Sequence, residues 1–157
     1  MKQSPDIETA SSATHLQIGR RGEELAAAYL QQQGYQIVAA NFVIPVGRNR
    51  IGAVISVEID LVACDSETLC FIEVKSRASD WFAPPQANVD RRKQRQIARA
   101  ARAYLRMFDL TGQPYRFDVV TVVMKEEGGT GPDVNLLRNH WTADSIRKRT
   151  WTDRHYN

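Results

Sequence analysis

The sequence predicts an α/β protein, on three observations. Two segments of strong helix formers, 22–33 and 89–108, are separated by apolar runs of strand length with turn residues between them. One of those runs, Leu69 to Val74, carries the triplet Glu73-Val74-Lys75, with Asp60 placed in the preceding run. The second helical segment gathers arginines on one arc.

Residues 1–17 are rich in Ser, Thr and Gln without a sustained period, and read as a flexible leader. The first helix is expected over Gly22–Gln33, with Leu25/Tyr29 and Ala26/Leu30 paired at i, i+4 and Gly34 ending it. Glu23 and Glu24 fall in its first turn, where the helix dipole favours negative charge and capping alone explains them. Tyr35–Ala40 reads as a strand. The stretch 41–56, with Pro45, Gly47, Arg48, Arg50 and Gly52, is either an extension of a hairpin or a loop.

Val57–Val74 reads as a hairpin turning at Ser66 and Glu67. A turn symmetric about those residues sets Asp60 opposite Glu73 and Glu58 opposite Lys75, so four ionisable groups share one face. Side-by-side carboxylates raise each other's proton affinity unless a cation lies between them. Lys75 or a divalent metal supplies that cation, or the four groups form an ordinary surface salt-bridge ladder.

Ser76–Gln86, with Trp81-Phe82 and Pro84-Pro85, breaks regular structure and presents an aromatic pair to a ligand or packs as a lid. The second helix is expected over Val89–Phe108 with Asn88 as N-cap. Arg91, Arg92, Arg95, Arg99, Arg102 and Arg106 share an arc of about 100°, and Val89, Ile97, Ala100, Tyr104 and Phe108 face the other way. Lys93 lies on the apolar stripe: it snorkels out of the core, or it meets the acid cluster or a phosphate. Arg116–Met124 is a buried strand in which Asp118 pairs with Arg116 or a nearby arginine. A turn at 128–132 leads to a last strand at Val134–Leu137, and Ser145–Asn157 forms a basic tail with aromatics that touches nucleic acid or stays disordered.

A chain of 157 residues, 43% hydrophobic and 25% charged, fits one domain, expected over 18–142 between the leader and a tail at 143–157. It has no run of membrane-spanning length and no apolar segment after Met1, so membrane partners are not expected and the cytoplasm is the expected location. Cys64 and Cys70 fall on opposite faces of the hairpin and are expected as thiols. The net charge is only +3, but residues 88–106 carry seven cations against Asp90, leaving the remainder at −3. That contrast is a footprint suited to a polyanion, or a solvated helix face.

Asp60 and Glu73 fit magnesium, which takes one or two protein carboxylates and completes its octahedron with waters and phosphate oxygens; Mn²⁺ is the alternative ion. Lys75 would orient the nucleophile or stabilise the transition state of phosphodiester hydrolysis, and Glu24 would add a ligand or an outer contact beside the small Ala27 and Ala28. The chain also resembles the YraN-like family, itself similar to archaeal Holliday junction resolvases in the PD-(D/E)XK nuclease superfamily. The resemblance covers about residues 19–141. It rests on Gly22-Glu23-Glu24, Ala27, Tyr29-Leu30, Gly34-Tyr35, Asn41, Glu58 to Ala63, Phe71 to Arg77, Lys93 and Arg116 to Val120. It implies a restriction-endonuclease-like αβββαβ core with a mixed central sheet flanked by helices. It also implies Asp60, Glu73 and Lys75 as metal and catalytic positions, Glu24 as the helix acid, Mg²⁺ as cofactor, and a homodimer by analogy with the resolvases. Two departures stand out: Val57 where the family's strand opens with Gly, and a long 42–57 stretch whose Arg48 and Arg50 extend a nucleic-acid surface or form a plain surface hairpin.

Three functions fit these residues. The leading one is a Mg²⁺-dependent nuclease-like protein acting on DNA, branched DNA included, with Arg91, Arg95, Arg99, Arg102 and Lys93 binding nucleic acid. The others are a non-catalytic nucleic-acid-binding module on the same fold, and a protein-interaction domain using the basic helix.

Overall fold

In a computed structural model, residues 6–78, 88–124 and 129–146 are described, with side chains from residue 14 onward. Helix α1 (Asp6–Gln32) leads into strands β1 (Gln36–Arg48), β2 (Val54–Asp65) and β3 (Thr68–Arg77). Helix α2 (Arg91–Met107) then crosses to β4 (Tyr115–Val123), and β5 (Asp133–Trp141) follows. The five strands lie side by side in chain order. Only β3 and β4 run parallel, because only they are joined by a helical crossover; the other neighbours are antiparallel. The result is an αβββαβ order with one further edge strand, in a mixed sheet flanked by helices.

Each sheet face carries its own core. Ile44, Ile59, Phe71 and Phe117 pack with Ile97, Ala100 and Tyr104 of α2. Leu61, Ile72, Val120 and Val122 pack with Ala26 and Leu30 of α1. The rings of Phe71 and Tyr104 meet edge to face at 5.5 Å, a geometry that aromatic quadrupoles favour. Gly22 lets α1 approach the sheet closely, since a Cβ there would lie 1.7 Å from Ser76 Oγ.

At the other end of α1, Asp118 is fully buried. It accepts from Arg116 Nε at 3.0 Å and from the Asn139 backbone N–H at 2.7 Å. Arg116 also donates to Asp65 at 2.8 Å and to the Tyr35 hydroxyl at 2.7 Å. The expected pairing of this core acid with Arg116 is what the fold contains. Cys64 and Cys70 sit on opposite faces as free thiols, and burial pushes the Cys70 thiol up to about 12.

Three expectations change. α1 begins at Asp6, so residues 6–17, read as a leader, are helical. Residues 14–17 are exposed, which is why they carry no apolar period; extending an existing helix needs no buried face. The N-cap of α2 is Asp90, whose side chain accepts from Lys93 N at 2.8 Å, rather than Asn88. Of the two alternatives for the stretch 41–56, the structure contains the hairpin extension: these residues continue β1 and β2. The last strand runs over Asp133–Trp141, and Ile146 is buried in the α2-side core, beyond the expected boundary at 142. Trp81, Phe82, Pro84, Pro85, Gly128 and the tail from residue 147 lie outside the described residues.

Candidate functional site

The hairpin register places the two key acids together. Leu61 pairs with Ile72, and the ladder of β2 and β3 ends there, one residue short of Asp60 and Glu73. Asp60 instead accepts from the Val74 backbone N–H at 2.8 Å, so a carboxylate takes over from a backbone carbonyl. On its other side, the pairs Ala40–Leu61 and Phe42–Ile59 flank Asn41 and Asp60, and Asn41 has φ 49°. Ile59 packs in the α2-side core and Leu61 in the α1-side core, although residues two apart in a regular strand share a face. The alternation therefore slips at Asp60, and the strand kinks there.

Glu73 is buried, and its two oxygens face two ammonium groups: Lys75 Nζ lies 3.2 Å from Oε1 and Lys93 Nζ 3.5 Å from Oε2. Oε2 is buried and makes no hydrogen bond; its contact with Lys93 is an ion pair. Burial pushes the Asp60 carboxyl up to about 7, with the Glu73 and Glu23 charges adding to the rise. The Val74 N–H and Lys93 oppose it. A carboxyl raised this far by burial and by a second buried acid is an arrangement that a cation would relieve.

The structure brings Asp60, Glu73, Lys75 and Lys93 together, as the hairpin register and the position of Lys93 on the apolar stripe of α2 suggested. It does not bring Glu58, which is exposed on the far side of the kink. Lys93 takes the fourth place in the cluster. Glu24 is also displaced from its expected role: its side chain is 67% exposed and bridges Arg21 at 3.1 Å. Glu23 is the helix acid whose charge Asp60 feels, and it accepts from Asn41 Nδ2 at 2.7 Å. The signal was available in the sequence. The buried stripe Gly22, Ala26 and Leu30 centres about 60° from Glu23 and about 160° from Glu24 at 100° per residue.

Between α1 and the kinked strands lies an open cavity of about 470 Å³, lined by Arg20, Glu23, Glu24, Ala27, Ala40, Asn41 and Leu61. Ala27 leaves the room expected of a small residue one turn after the acids. Among the described residues, no three His, Cys, Asp or Glu side chains gather as a ready cage for a metal. Two carboxylates suffice for a magnesium ion that keeps its waters, and Asp60 with the neighbouring Glu73, whose buried Oε2 makes no hydrogen bond, fits that need.

On α2, Arg91, Arg92, Arg99, Arg102 and Arg106 are exposed and Arg95 is half-buried, opposite the buried Ile97, Ala101 and Tyr104. Arg99 Nη2 also donates to the Val46 carbonyl at 3.1 Å, tying the β1–β2 hairpin to the arginine face. Among the described residues, no helix is long and apolar enough to cross a membrane.

Fold and site thus define a mixed α/β protein with an acid and lysine cluster at a strand kink, beside an arginine-faced helix. The model of the family described as "Uncharacterised protein family UPF0102" matches residues 22–122, and the chain belongs to that family. A UPF0102 protein of Desulfosudis oleivorans is 39% identical over 128 residues, covering 82% of this chain and 92% of the relative. One from Syntrophus aciditrophicus is 42% identical over 73% of this chain and 82% of its own length. A third, from Chlorobium chlorochromatii, reaches 47% over 68% and 74% respectively. The matched segment 22–122 contains Glu23, Asp60, Glu73, Lys75 and Lys93.

Proposed function

We propose that the protein is a metal-dependent, nuclease-like protein that hydrolyses phosphodiester bonds in DNA, with branched DNA included among its substrates. One observation carries the reading. Asp60 and Glu73 are held side by side, burial pushes the Asp60 carboxyl up to about 7, and Glu73 Oε2 is buried without a hydrogen bond, an arrangement that costs stability unless a cation is taken up.

Asp60 and Glu73 would hold Mg²⁺ or Mn²⁺, which supplies charge neutralisation at the phosphate and a lowered proton affinity for water. The chain's own residues do the rest. Lys75 is 39% exposed at its side chain, so it reaches solvent while touching Glu73, and it is placed to hydrogen-bond the nucleophile or a non-bridging phosphate oxygen. Lys93, from the first turn of α2, holds the Glu73 carboxylate and partly offsets the rise that burial and Glu73 impose on Asp60, which favours its ionised form as a ligand. Glu23 faces the cluster from α1 and acts at one remove, through Asn41 and through its charge. Arg91, Arg95 and Arg102 bind the backbone of the nucleic acid, and the start of α2 adds a positive dipole end near the cluster.

A second reading has its own observation. Glu73 is paired with both lysines, so the cluster is partly neutralised from within, and a binding module that cuts nothing would look the same. Incubating linear and branched duplexes with the protein in Mg²⁺ or Mn²⁺ separates the two. The nuclease reading expects cleavage that disappears in Asp60→Ala while binding persists. Binding without cleavage in the wild type leaves the module.

A further inference from the structure

The β1–β2 hairpin reaches past the last buried residues of its strands. Ile44 and Val57 are buried, whereas from Pro45 to Ser56 only Val46 and Ile55 are partly covered. Five residues beyond Ile44 at about 3.3 Å each make an arm of roughly 16 Å. Its only charged residues are Arg48 and Arg50; no acid lies between Asn41 and Glu58.

The tip is built to hold one shape. Asn49 Oδ1 accepts from the backbone N–H of Ile51 at 3.1 Å and of Ala53 at 2.9 Å. Asn49 N donates to the Ala53 carbonyl at 2.9 Å, and Arg48 Nη1 donates to the Gly52 carbonyl at 2.6 Å. That frame presents Ile51, 88% exposed, between a basic residue and Gly52. The arm is also anchored: Arg99 of the arginine face donates to Val46, and its guanidinium lies 3.2 Å from where a Cβ on Gly47 would sit. Positive charge on the arm is therefore continuous with that on α2.

We infer that this hairpin is a second DNA-binding arm, a two-stranded ribbon that enters the major groove of a duplex whose backbone lies along α2. The inference rests on the nucleic-acid reading above and adds to it the substrate class, duplex DNA. A β-ribbon fits the major groove of B-form DNA and is excluded from the deep, narrow major groove of duplex RNA. Arg48 and Arg50 meet phosphates at the groove edges. Ile51 meets the apolar floor, where thymine methyl groups lie. A fixed tip keeps the ordering loss on binding small.

The test is fluorescence anisotropy with duplex DNA and duplex RNA of one sequence, across a salt series. Arg50→Ala, at an exposed residue, should reduce the slope of log affinity against log salt by about 1, and Arg48→Ala with Arg50→Ala by about 2. Ile51→Ser should weaken DNA binding about threefold with an unchanged slope, since it removes an apolar contact only. All three variants should narrow the preference for DNA over RNA. Unaltered affinity, slope and preference in Arg50→Ala and Ile51→Ser, alongside lost binding in Arg91→Ala with Arg95→Ala, would overturn the arm and leave the nucleic-acid reading intact. A wild-type protein that binds neither duplex would overturn both.

Discussion

Replacing Asp60 by Asn should stabilise the metal-free protein, by an amount that depends on pH. Asn keeps an oxygen that can accept from Val74 N–H, the one hydrogen bond Asp60 makes to the hairpin, and removes a charge that burial and Glu73 oppose. The Asp60 carboxyl sits at about 7 in the fold. A rise of that size from the ordinary carboxylate range is worth about 4 kcal/mol as a ceiling, and water reaching this half-buried group brings the expected gain to about 2 kcal/mol.

The sign follows from proton counting. Below about pH 4 the carboxyl is protonated in both states, and its contribution to stability is fully present. Between about pH 4 and pH 7 the unfolded chain loses this proton while the fold retains it, so wild-type stability falls relative to the variant. Urea unfolding in the presence of a chelator, from about pH 4 to pH 8, reads the difference directly. The gain of Asp60→Asn should grow across that window and level off above it. A difference that stays constant with pH would refute the reasoning, because it would mean that Asp60 ionises as freely in the fold as in the unfolded chain.

Four further outcomes follow from the same geometry. Calorimetry should find that Mn²⁺ or Mg²⁺ uptake releases protons near neutrality, with affinity rising up to tenfold per pH unit below about pH 7 and flattening above it; affinity that does not vary with pH would count against Asp60 as a ligand. Glu23→Gln should lower the midpoint at which Asp60 titrates, followed by carboxyl NMR, whereas Glu24→Gln should leave it in place. Gly22→Ala should destabilise the fold by about 1–3 kcal/mol through overpacking against Ser76, with recovery in Gly22→Ala combined with Ser76→Gly; a silent Gly22→Ala would show that α1 moves freely on the sheet. Arg116→Met should cost about 3–5 kcal/mol in thermal or urea unfolding by leaving Asp118 charged and fully buried, and adding Asp118→Asn should restore part of that loss.

Much of the fold was legible because it is written in neighbouring residues. Period-two runs and a polar turn fixed the register of β2 on β3, and that register alone implied that Asp60 and Glu73 meet. The helical spacing of Lys93 with Ile97 and Tyr104 marked it as pointing inward, where it reaches Glu73. Glu23 was missed although its angle to Gly22, Ala26 and Leu30 distinguishes it from Glu24, since two adjacent acids in a first turn look equivalent until the buried stripe is known. The helical residues 14–17 were missed for a different reason: exposed residues leave no apolar pattern to find.

The sequence by itself determined the α/β alternation, the acid and lysine content of the central hairpin and the arginine face of α2. These depend on spacing along the chain, which local sterics and burial translate directly into faces. Only the tertiary structure decided that the strand kinks at Asp60, that Glu58 is left exposed outside the cluster, and that burial with the Glu73 charge pushes the Asp60 carboxyl up to about 7. Each of those depends on groups far apart in the chain, on how much water they lose together and on which charges end up facing them, and none of these has a period to read.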